Sequence, residues 1–157
     1  MTTPLQLKLK AVNLSTVRFR LNKVDKNIPK DYPLGLHVEV IQEAKQANFI
    51  ACHVGFLGGD IEAEKSSWPF DVTVVYVGLF DLGSSDFSEE EIKRIGGINC
   101  AAIIFPFLRE EVANLTLKGT GKPLLLPPVN FVELYKKQGI VFKREIFLVD
   151  VKDINTT

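Results

Sequence analysis

The sequence predicts an α+β fold: a four-stranded antiparallel β-meander, then a long kinked helix, an extended connector and a short C-terminal helix. Three observations predict it. Apolar and polar residues alternate in four stretches of the first half, with no helical spacing between them. Spacings of three and four take over after Ser88. The run LLLPPV at 124–129 is too apolar and too rich in proline for an ordinary surface loop.

The first strand alternates Leu5, Leu7, Leu9 and Ala11 with polar residues, breaks at 13–16, and resumes at Val17, Phe19 and Leu21, so it is expected to be long and bulged in the middle. A polar connection at 22–33 carries two prolines. Leu36, Val38 and Val40 mark the second strand, 49–57 the third, and FDVTVVYVGLFDL at 70–82 the fourth. Short connections without helices favour antiparallel neighbours. Ser88 and Glu91 form a capping box, followed by a helix that Gly96 and Gly97 are expected to interrupt. Asn99 is placed to cap a second helix, in which Ala101, Ile104, Leu108, Val112 and Leu115 share one face, and Gly119 is its expected stop. Pro106 lies inside that helix and predicts a kink. The tail 139–157 alternates Ile140, Phe142, Ile146 and Leu148, a pattern suited to a fifth strand on its own sheet or on a neighbour's, and ends in a polar stretch expected to fray.

With 157 residues, 46% hydrophobic and 24% charged, the chain is expected to be one domain with its own core. Its 19 basic and 19 acidic residues cancel, which gives no support to a nucleic acid or an anionic membrane as partner. Cys52 and Cys100 belong to no CxxC pair and are expected to be reduced. Neither a secretory signal at the start nor an uninterrupted membrane-length apolar run is evident, so a soluble cytoplasmic protein, with no insertion into the membrane, is expected.

The residue types of catalysis are scattered. His37 and His53 stand alone in separate strands, without cysteine or carboxylate partners at ligand spacing, so neither a metal site nor a cofactor is expected. Asp60, Glu62 and Glu64 read as a solvated turn without calcium-loop spacing. The string GTGKP at 119–123 fails as a phosphate loop, because Thr116 stands where the first glycine belongs and Pro123 where a hydroxyl should follow the lysine. No GxSxG, HExxH or GxGxxG occurs. The chain is therefore not expected to be an enzyme. What remains is apolar surface at 124–131, which either packs beneath the helices or forms a binding groove or an oligomer interface.

The segment CAAIIFPFLREEVANL at 100–115, a glycine at 119 and LLLPPVNFVELY at 124–135 resemble the SecB family of export chaperones. The matching positions are Cys100, Phe105, Pro106, Phe107, Arg109, Glu110, Gly119, Pro128, Val129, Asn130 and Phe131. The resemblance implies a homotetramer, built as a dimer of dimers, that holds unfolded client polypeptides in apolar grooves without ATP. It assigns the client groove to Phe19, Leu21, Leu36, Val38, Val40, Phe70 and Phe80 of the sheet and to Leu124, Leu126 and Val129 of the connector. It assigns the oligomer interface to Cys100, Ile104, Pro106, Phe107, Leu108 and Val112. Family members that deliver clients to the SecA motor carry acidic residues on the outer sheet surface, where this chain has Thr16, Arg20 and Thr73. The partner implied is SecA or, in a specialised toxin–antitoxin member, an antitoxin. A non-chaperone oligomeric adaptor with one specific partner is the reading from another class. The family ends in a longer helix and an acidic tail, whereas residues 139–157 diverge.

Overall fold

The computed structural model describes residues 6–24, 27–83 and 86–148. Leu5 and the polar end of the tail, Lys152 to Thr157, lie outside them. The first half forms β1 (Lys8–Leu21), β2 (Leu34–Glu43), β3 (Phe49–Gly58) and β4 (Phe70–Asp81), and the second half forms α1 (Glu89–Arg94), a π-helical segment (Ile95–Cys100), α2 (Ala101–Thr120), α3 (Phe131–Gln138) and β5 (Val141–Glu145). The α+β class and the division into a sheet half and a helical half hold.

The pairing differs from a simple meander. The strand order is β1-β4-β3-β2-β5. Only β2, β3 and β4 run as consecutive antiparallel neighbours, while β1 lies beside β4 in a Greek-key return. The polar connection after β1 is long enough to carry the chain across the sheet, which a tight hairpin would forbid. β1 pairs with β4 through register shifts between Leu9 and Ala11 and between Leu14 and Thr16, so the polar break in its sequence holds one bulge of a single continuous strand, and a second bulge lies upstream of it. β5 joins β2 in parallel and makes the sheet mixed.

One face of the sheet is the core face. Val40, Ile50, Val54, Val72 and Val74 are fully buried there, against Ile104, Leu108 and Val112 of α2. The helices are continuous from Glu89 to Thr120: Gly96 and Gly97 do not break the rod, and Asn99 caps nothing. Instead the rod widens to π geometry, in which the Ala101 N–H donates to the carbonyl of Gly96 five residues back. The irregular turn therefore lies upstream of Pro106, which is held inside α2. Gly96 is there for closeness. A Cβ on it would lie 2.6 Å from Cγ2 and 2.7 Å from Cγ1 of the fully buried Val40. Val40 is β-branched and stiff, so Gly96→Ala is expected to destabilise the fold by about 1–3 kcal/mol despite the better helix propensity of alanine. Urea unfolding checks this; unchanged stability would mean that the π segment can slide off β2.

Gly119 likewise does not end α2. Its missing Cβ admits the ring of Phe19, whose Cζ would otherwise stand 2.2 Å away. The stop is Gly121, in the left-handed region at φ 85°, with its N–H bonded to the Leu117 carbonyl.

Candidate functional site: apolar clefts along the connector

The connector at 124–129 runs between α2 and the start of β2, pinned at both ends. The buried Thr116 hydroxyl donates to the Val112 carbonyl at 2.7 Å and accepts from the Leu124 N–H at 2.7 Å, tying the first connector residue to the helix. At the far end the Asn130 side chain accepts from the N–H groups of Val132 and Glu133 at 3.1 and 3.2 Å and caps α3. Pro127 and Pro128 keep the chain between these anchors extended and remove two N–H donors from an apolar trough. Side chains therefore alternate: Leu126 is buried, and Leu125 is 65% exposed.

Two clefts flank this strip. The larger, about 550 Å³, lies against α2, with Ala102, Pro106, Arg109, Ala113, Leu125 and Pro128 in its lining. The smaller, about 240 Å³, opens toward β2 and α3 and is lined by Leu34, Leu36, Phe56, Leu126, Pro127 and Leu134, among others. Phe105 and Val129 face both, so together they form the wall between the clefts. The Phe105 ring is set edge-on to Phe131 at 5.6 Å, which fixes that wall. Arg109 and Glu110 supply the charge at the rim of the larger cleft.

The groove residues assigned by resemblance part company here. Leu36, Leu126 and Val129 line the smaller cleft, while Leu124 packs half-buried against the core. Phe19 is half-buried, stacked on Phe70 at 5.8 Å, and Leu21 stands 44% exposed at the end of β1, away from both clefts. Val40, Phe70 and Phe80 are corrected: all three are sealed in the core, because alternation along a strand identifies a shared face but not whether a helix covers it, and Val38, buried at 6%, lines neither cleft and reaches only a small recess beside β5. The same correction applies to Cys100, Ile104, Leu108 and Val112 as interface residues, since each is fully buried against the chain's own sheet. Pro106 is exposed, as is Phe107 at 42%. Cleft residues not foreseen include Leu34, Phe56, Phe105 and Leu134; the Phe131 to Leu134 step of three on a short helix was the available signal.

Thr16, Arg20 and Thr73 lie on the sheet face turned away from the helices, where strand pairing sets Arg20 opposite Asp71 and Thr16 opposite Val75. Arg20 is not an open docking cation. Its Nε and Nη2 donate to the buried Asp71 carboxylate at 2.9 and 2.7 Å. Thr73 has a buried hydroxyl with no hydrogen-bond partner among the described residues.

Neither thiol is poised for chemistry. Cys52 and Cys100 are fully buried and free; burial pushes the Cys52 thiol up to about 12, with its Sγ bonded to the Gly96 carbonyl at 3.3 Å, and raises Cys100 as well. Among the described residues no group of acidic, histidine and cysteine side chains is placed to hold a metal, and no helix is long and apolar enough to cross a membrane.

The family model for preprotein translocase subunit SecB matches residues 34–140, which contain both clefts. The chain belongs to the SecB family. The protein-export protein SecB of Nitrosococcus oceani is 46% identical over 69 residues, covering 44% of this chain and 41% of that protein, so the match spans less than half of that relative. SecB of Wolbachia pipientis wMel is 28% identical over 130 residues, covering 82% of this chain and 69% of its own. The SecB fold is also shared with a SecB-like chaperone of Mycobacterium tuberculosis, solved in complex with a peptide from an antitoxin. That likeness has a TM-score of 0.65 at 17% identity and covers 78% of this chain and 90% of that one.

Proposed function

We propose that this SecB-family chain is an ATP-independent cytoplasmic chaperone, not an enzyme, that holds unfolded or non-native polypeptides in the two clefts and keeps them from aggregating, for export. The observation that carries the reading is the pair of adjoining apolar clefts that share the wall of Phe105 and Val129. Each large apolar client side chain buried there contributes about 1.5–3 kcal/mol, without a requirement for sequence. A homotetramer is part of the reading, with the exposed Phe107, Ile103 and Leu117 of α2 as the surface that further copies would cover.

The partner that receives the client is a second matter. The face around Thr16, Arg20 and Thr73 presents hydroxyls and a cation already paired, so docking to the basic surface of an export motor is expected to be weak. The antitoxin peptide bound by the mycobacterial SecB-like chaperone favours, as a second reading, a client segment from an antitoxin.

Light scattering tests the main reading. Several unrelated denatured proteins, diluted with and without the chain and without nucleotide, are expected to stay soluble at near-stoichiometric chain and to co-elute with it on size exclusion. A chain that runs as a monomer and leaves every client aggregating at its own rate would end the proposal. Holding of one partner alone would establish the adaptor instead.

A further inference from the structure

The sheet edge beside the clefts is half covered by the chain itself. On the outer side of β2, strand pairing begins at Glu39, opposite Val141, and continues to Glu43, opposite Glu145. Among the described residues, positions 34–38 have no strand partner on that side, and Leu34 and Leu36 there line the smaller cleft. A recess of about 160 Å³, lined by His37, Val38, Gly139, Ile140 and Val141 with Gln138, joins this free edge to the start of β5. Free edge, recess and β5 thus form one continuous line.

β5 is held by its ladder to β2 and by polar contacts more than by burial: Arg144 pairs with Glu89 of α1 at 3.5 Å, and the Phe142 ring lies under Lys93 and Arg144. Of its side chains only Phe142 is half-buried, while Val141 is 40% exposed and Ile146, just beyond it, 59% exposed. Its end is latched by a buried carboxylate, because Glu43 accepts from the N–H groups of Phe147 and Leu148 at 2.8 and 2.7 Å. Arg144 donates to Gln42 at 3.0 Å, and Lys143 pairs with Glu39 at 3.2 Å. Its other end follows Gly139, which stands at φ 67°, a backbone conformation that favours glycine, with its N–H bonded to the Tyr135 carbonyl at 2.9 Å.

We propose that residues 139–148 are a displaceable strap on the client edge, and that an extended client segment longer than the free stretch 34–38 takes the place of β5. The inference rests on the client-holding reading above. Five free positions accept a strand of about 16 Å at roughly 3.3 Å per residue. A longer strand runs into β5 and must displace it or stop. An unpaired strand edge is a ready template for an added strand, and the strap already shows that this edge accepts one in parallel.

Hydrogen exchange on the full chain tests the strap, with reduced and carboxymethylated α-lactalbumin as a permanently unfolded probe. On probe binding, the amides of 141–145 are expected to lose protection by about tenfold or more, while those of 34–38 gain it. Glu43→Gln and, as a second full-length variant should that one fail to fold, Phe142→Ala are expected to tighten probe binding about three- to tenfold. A residue that merely supported the fold would not tighten binding when changed. If the probe binds while 141–145 stay protected and neither variant gains affinity, the strap is overturned and the client reading stands. If the wild-type chain does not bind the probe at all, the client reading falls and takes the strap with it.

Discussion

A Leu125→Asp chain is expected to fold like the wild type and to lose most of its hold on unfolded polypeptide. Leu125 is 65% exposed on the outer side of the connector and lines the larger cleft. Its replacement removes no core contact, so stability is expected to change by no more than about 0.5 kcal/mol. In the cleft, however, the client loses an apolar surface and meets a carboxylate that it must desolvate. Losing about 1.5–3 kcal/mol of burial corresponds to roughly a 10- to 100-fold weaker complex. Leu126 offers no such separation, because at 4% exposure a charge there strikes the fold as well as the cleft. Titration of a fluorescently labelled unfolded protein, with thermal unfolding as the control, checks the prediction. Unchanged affinity with an intact fold would move the client away from the connector.

The largest expected effect on stability lies on the other face of the sheet. The Asp71 carboxylate, fully buried, accepts at 2.7 Å from Asn22 Nδ2, the Asp60 N–H and Ser66 Oγ, and is paired with Arg20. It closes the end of β1 and the turn before β4 onto one point. Asp71→Ala leaves those donors and the guanidinium without their acceptor and is expected to cost about 3–5 kcal/mol, toward the lower value because Arg20 can partly rehydrate. Burial alone would raise the Asp71 pKa, but the hydrogen bonds from Asn22, Asp60, Ser66 and Arg20 outweigh it and hold it below the ordinary 3.8. A carboxylate lowered in the folded state contributes stability that is present above its unfolded value and lost as pH falls through the lowered one. Glu43 is lowered in the same way, its backbone donors outweighing burial. The wild-type chain is therefore expected to lose stability below about pH 4, and the gap between it and Asp71→Asn to narrow as the pH falls. A constant gap from pH 7 to pH 3 would mean that Asp71 is not charged in the fold.

Much of this architecture is legible along the sequence because its signals are local. Alternation gave the strands, and Ser88 with Glu91 gave the start of α1. Long-range partners are not written locally. Nothing in β1 says that it pairs with β4 rather than β2, and a glycine pair reads as a break until Val40 is seen pressed against Gly96. The clefts were half legible for the same reason. The motif around Phe105, Pro106 and Val129 pointed to the connector, while Val40, Phe70 and Phe80 carried the same alternation as groove residues and proved to be core. Which apolar face stays open depends on what the helices cover, and that is decided only when the chain closes on itself.

The most direct test of the central claim is a map of client contact on the methyl groups of the full chain, by NMR, with an unfolded protein added in steps. Shifts and broadening confined to Leu34, Leu36, Leu125, Leu126, Val129 and Leu134 are the predicted result, because these methyls line the two clefts. Perturbations gathered instead on Val75, Val77 and Leu79, on the sheet face turned away from the helices, would contradict it.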